Sequence, residues 1–89
     1  MSAVKEYVST LEETCGEERH FVATLRHGKR DEAIGRIIQK GQVDRSISGL
    51  VLDISFRGIA LRVYRTGKVL IKGLKSKEEA ERILEELLA

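Results

Sequence analysis

From residue 59 onward, apolar side chains occupy alternate positions: Ile59, Leu61 and Val63, then, past a Thr66-Gly67 turn, Val69 and Ile71. A period of two marks a strand with one face in a core and the other outside it. The alternation extends back through Phe56, Ile54, Leu52 and Leu50, with Arg57-Gly58 as the intervening turn. Three antiparallel strands in a meander are predicted from residue 47 to residue 72. Earlier, "HFVATLRH" sets Phe21, Ala23 and Leu25 against His20, Val22, Thr24 and Arg26, which predicts a first strand.

Elsewhere the period lengthens. Ala33, Ile34, Ile37 and Ile38 form one helical stripe over 31–40, with acids near its start and Gly41 as a cap at its end. Ser76 with Glu79 three residues on is a capping box that opens a helix carrying Ala80, Ile83, Leu84, Leu87 and Leu88 on one side. Val4, Tyr7, Val8, Leu11 and Cys15 recur at helical spacing, so 2–15 reads as an amphipathic helix ended by Gly16. "QVDRS" is open between a short strand and a loop. The order helix, strand, helix, three strands, helix is α+β: a curved antiparallel sheet with helices packed on one face and an extra helix in front.

Composition narrows what such a fold can do. With 89 residues the chain is one domain, and its core is aliphatic, because aromatics make up 4% and Trp is absent. A charged content of 34%, rich in Glu, Lys and Arg, is a balance that thermophilic proteins favour. The single Cys15 excludes an intrachain disulfide and a cysteine-based zinc site within one chain, and no histidine signature accompanies it as a nucleophile. No apolar run approaches the roughly 20 residues of a membrane span, and the acidic start is unlike a signal peptide, so a cytoplasmic protein is expected.

Charge is unevenly placed. Residues 45–73 hold Arg45, Arg57, Arg62, Arg65, Lys68 and Lys72 against Asp53 alone, whereas 1–19 and 74–89 carry an excess of acids. A negative partner would be steered to the strands and away from the terminal segments. Projecting the alternation outward puts His20, Val22 and Thr24 on the uncovered face. Ile47, Gly49, Val51 and Asp53 join them, as do Arg62, Tyr64, Thr66, Lys68, Leu70 and Lys72. Cations with interleaved apolar groups suit nucleic acid, where the former neutralise phosphates and the latter meet base edges or the groove floor. Solvated sheet faces also carry Arg, Lys, Thr and Tyr, because these residues favour strands and discourage edge aggregation.

The stretch "ALRVYRTGKVLIKGLKSKEEAERI" resembles the signature hairpin and helix of the TATA-box-binding protein family. "FVATL", "DEAIGRII" and "ISGLVLDI" resemble, in order, that family's first strand, first helix and long third strand. The resemblance covers 20–89 and corresponds to one repeat of a domain that the family carries twice, so 19–89 is expected to be the repeat and 1–18 an added acidic helix. It implies that Val22 and Thr24 touch the minor groove, that Tyr64 and Ile47 stand at the two wedge positions that unstack base steps, and that Lys68, Leu70 and Lys72 face the groove. The sequence departs from the family at His20, in place of a base-reading Asn. Asp53 replaces a phosphate-binding Arg, Arg62 an apolar residue and Lys72 a Thr.

The expected function is therefore a nucleic-acid-binding module. It would be a homodimer pairing through 20–26 to rebuild a continuous concave sheet on duplex DNA, with RNA or a hybrid duplex as further partners. Its expected contacts are Val22, Thr24, Ile47, Val51, Arg62, Tyr64, Thr66, Lys68, Leu70 and Lys72. The alternative is a protein-interaction subunit that reuses the fold, docking a partner on the same face or on the acidic front segment. No enzyme, cofactor, metal site or membrane partner is expected. His20 and His27 lie too far apart for a ligand pair, "RTGK" and "RHGK" are too short for a phosphate loop, and the acids of 78–86 read as a solvated helix face.

Overall fold

The computed structural model describes residues 3–14 and 20–89. Its elements are α1 (Ala3–Tyr7), β1 (Val8–Glu13), β2 (His20–Leu25), a single 3-10 turn (His27–Lys29), α2 (Arg30–Lys40), β3 (Gln42–Ile47), β4 (Val51–Phe56), β5 (Ile59–Tyr64), β6 (Lys68–Lys72) and α3 (Lys77–Leu88). The strands form one antiparallel sheet in the order β1-β2-β6-β5-β4-β3. Phe21, Ala23 and Leu25 of β2, Leu52 and Ile54 of β4, Leu61 and Val63 of β5, and Val69 and Ile71 of β6 face inward. They share a single core with Ala33, Ile34 and Ile37 of α2 and with Ala80, Ile83, Leu84, Leu87 and Leu88 of α3.

The helix expected over 2–15 is corrected. Among its described residues Ala3–Tyr7 alone is helical, and the chain then runs as β1 along the outer edge of β2. A bulge explains the misleading period. Val8 lies opposite Leu25 and Leu11 opposite Ala23, with the register shifted between Val8 and Thr10. One extra residue in a strand brings positions three apart onto the same face, which imitates a helical stripe. The β-branched Val8 and Thr10 also fit a strand better than a helix. Cys15 and the expected helix end at Gly16 lie outside the described residues.

A second correction concerns the strand expected from residue 47. Ile47 ends β3, and the chain reverses through Ser48 and Gly49, both at positive φ (53° and 69°), with the Leu50 amide donating to the Ile47 carbonyl at 3.0 Å. Two successive positive φ values make a tight hairpin turn of the kind matched to strand twist. Leu50, expected in the core, is 64% exposed at this turn. "QVDRS" accordingly falls in a strand, with Val43 opposite Ile54 and Arg45 opposite Asp53 across a bulge.

The remaining boundaries follow local chemistry. Gly41 closes α2 with its amide on the Ile37 carbonyl at 2.8 Å, and a Cβ there would stand 2.5 Å from the buried Ile54 side chain, so glycine is required by close packing. Ser76 Oγ accepts from the Glu79 amide at 3.2 Å, while the Glu79 carboxylate reaches the Lys75 amide. Both halves of the capping box are thus present, the second displaced by one residue.

The front segment is tied to the helices. The Ala3 amide donates to Glu85 of α3 at 2.7 Å, and buried Tyr7 donates its hydroxyl to Glu32 of α2, with the Arg36 and Lys29 cations 5.5 and 5.6 Å from its ring centre. That hydrogen bond holds the Glu32 carboxyl below its ordinary value near 4.5 and the Tyr7 phenol above its own near 10.0. The lowered acid stabilises the fold above pH 4.5 and loses that contribution as pH falls through its folded value; the raised phenol stabilises below pH 10.0 and loses it as pH rises. Urea unfolding of Tyr7→Phe is therefore expected to differ most from the parent protein on the plateau between these limits and to converge with it at both extremes.

Candidate functional site

The face of the sheet away from the helices is built by register. One row runs straight across all six strands: Glu12, Val22, Leu70, Arg62, Asp53, Arg45. A second, parallel row is Thr10, Thr24, Lys68, Tyr64, Val51, Ile47. His20 and Lys72 pair at the head of a third. Side chains directly opposite in an antiparallel ladder stand about 5 Å apart, so each row is a line of mutual contacts.

Nine of the ten residues expected at the site, Val22, Thr24, Ile47, Val51, Arg62, Tyr64, Lys68, Leu70 and Lys72, are thereby brought onto one surface. Thr66 is separate, exposed in the turn after β5. Ile47 reaches Val51 across a hairpin, not along a strand, and is 39% exposed. Tyr64 lies on the other side of Val51, so Ile47, Val51 and Tyr64 form an apolar corner that Leu50 extends.

The cations are not equivalent. Arg62 Nε donates to Asp53 Oδ1 at 2.8 Å and Nη2 to Oδ2 at 3.5 Å, a two-point pair about one-third exposed. The bond from Arg62 holds the Asp53 carboxyl below its usual range, with the charges of Arg45 and Lys72 adding to the effect, and Asp53 in turn raises Arg62. Arg62 is therefore partly neutralised inside the face. Lys68, Lys72, Arg45 and Arg65 make no ion pair among the described residues and leave their charge to solvent or a ligand.

Three contributors escaped the sequence reading. Thr10 and Glu12 enter the face through the unexpected β1, and Arg45 through β3. Ser48-Gly49 was the signal that could have placed β3, since such a pair between apolar residues marks a hairpin. The Asp53–Arg62 pair was also within reach, because a turn centred on Arg57-Gly58 sets those two opposite one another.

The first-strand pairing expected for a dimer is corrected here as well. β2 is hydrogen bonded to β1 on one side and to β6 on the other, so 20–26 offers no free edge. Among the described residues, the sheet edges that remain open are those of β1 and β3.

Fold and face together define a small α+β protein with one antiparallel sheet face left uncovered. Compared with protein-family models, with curated proteins and with solved structures, the chain matches none. Among the described residues, no group of three or more His, Cys, Asp or Glu could hold a metal ion, and no helix is long and apolar enough to cross a membrane.

Proposed function

We propose that the uncovered sheet face binds duplex nucleic acid, DNA in the first instance. The observation that carries this reading is the row-built surface itself, in which Lys68, Lys72 and Arg45, with no ion pair among the described residues, stand around apolar Val22, Leu70, Val51, Ile47 and the ring of Tyr64. Phosphates would meet the lysines and arginines, and the apolar corner of Tyr64, Val51 and Ile47 would press on base steps in the minor groove. The resemblance to one TATA-box-binding repeat supports it through the same order of strand, helix, meander and helix over 20–88.

The test is fluorescence anisotropy with labelled A/T-rich and G/C-rich duplexes. If Lys68, Lys72, Arg45 and Arg65 each neutralise one phosphate, affinity should fall about 100-fold between about 50 and about 200 mM salt. A Tyr64→Ala, Lys68→Ala double variant should bind at least about 10-fold more weakly. Equal affinity for duplex RNA would shift the ligand but keep the face. Absence of binding at low salt would remove the reading.

A second reading rests on the Asp53–Arg62 pair and on exposed Leu50, which make the face less positive and more apolar at one end than a phosphate-binding surface needs. A protein partner would then occupy it. Binding would survive salt and depend on Val22 and Leu70 more than on Lys68.

A further inference from the structure

Among the described residues, the three large apolar side chains that stand exposed are Val43, Ile47 and Leu50, at 41%, 39% and 64%, and all lie on β3 or in the turn after it. Every residue of β3 is exposed; the strand pairs with β4 on one side and, among the described residues, with no strand on the other. Such an edge presents a row of backbone donors and acceptors ready to receive another strand.

β3 is also matched to itself. Its bulge, between Val43 and Arg45, places both Gln42 and Ile47 on the outer face, opposite Ser55 and Val51, and both Val43 and Ser46 on the inner face, opposite Ile54 and Leu52. In a regular strand, residues an odd number apart point to opposite faces; the extra residue cancels that mismatch. A second β3 running antiparallel can therefore set Gln42 against the partner's Ile47 and Val43 against the partner's Ser46 with every face in agreement. In that register Asp44 meets the partner's Arg45, twice by symmetry. Neither residue has an ion pair within its own chain among those described. The other open edge, β1, carries Glu12 and Glu13 with no cation on the strand to meet them.

We infer that β3 is the edge through which two copies of this chain pair, antiparallel and about a twofold axis between Asp44 and Arg45. The contact extends the sheet from six strands to twelve and covers Val43 and Ile47 at the seam. It forms through the edge, shares Arg45 and Ile47 with the face proposed for nucleic acid, and is measured without any nucleic acid.

Sedimentation equilibrium over about 1 to about 500 µM tests it. The parent chain is expected to dimerise. Asp44→Arg sets two arginines against each other and Arg45→Asp two aspartates, so each should weaken the dimer at least about 10-fold; the double swap restores opposite charges and should recover affinity to within about 3-fold. Asp44 is exposed and makes no side-chain hydrogen bond among the described residues, so Asp44→Arg reports on association even if Arg45→Asp disturbs the nearby Asp53. Circular dichroism checks that each variant is folded. A monomeric mass throughout, or a dimer indifferent to Asp44→Arg, would overturn the inference, the second outcome moving the contact to β1 or the sheet face.

Discussion

Phe21→Ala is expected to leave little of the folded protein at physiological temperature. Phe21 is 1% exposed, on an inner row whose members are, in order, Glu13, Phe21, Ile71, Leu61, Ile54 and Val43. Truncating so large a buried side chain removes its transfer free energy and leaves a cavity beneath two helices, at a cost of about 3–5 kcal/mol. A domain of this length has in total roughly 4–13 kcal/mol. Phe21→Leu keeps most of the volume and should cost less than about 2 kcal/mol. Urea unfolding of both variants measures the contrast; equal and small losses would place the stabilising core elsewhere.

Deleting residues 1–13 should have an effect of similar size and a different character. The deletion removes buried Tyr7 and Val8, the links from Ala3 to Glu85 and from Tyr7 to Glu32, and the whole ladder between β1 and β2. The melting temperature is expected to fall by more than about 10 °C, since small domains shift by several degrees for each lost kcal/mol. At the same time the edge of β2 becomes free, and the shortened chain should associate in a concentration-dependent way through 20–25. Thermal melts combined with light scattering would show both effects. An unaltered melt would mean that β1 is an accessory and not part of the fold.

How far the fold could be read from the residues depended on whether periodicity and register agreed. In α3 and in the β5–β6 hairpin they did: Ser76 capped where the apolar stripe began, and Leu61, Val63, Val69 and Ile71 alternated up to turns that the structure contains. In β1 they disagreed, because the bulge after Val8 set Val8 and Leu11 on one face and imitated a helix. Between Ile47 and Val51 the face was right for the wrong reason. Two residues four apart share a face along one strand, and here they share it as neighbours across a hairpin, so the error surfaced only in Leu50. The site's composition was legible because it is a consequence of alternation. Its internal charge balance was not, because alternation along a strand says nothing about which residue stands opposite, and Asp53 meets Arg62 only once register is known.

The position of β2 between β1 and β6 has a consequence for how the molecule is made. Its partner Leu70 lies half a chain beyond Val22, whereas β3, β4, β5 and β6 each find a neighbour within one tight turn. As the chain leaves the ribosome, the first half can form α2 but has no sheet on which to lay it, and the meander must assemble before β2 has an inner edge to join. Closing so long a loop is entropically slow. The nascent N-terminal half is therefore the stage most exposed to aggregation, with β2 guarded during that interval only by β1, the strand that precedes it in synthesis.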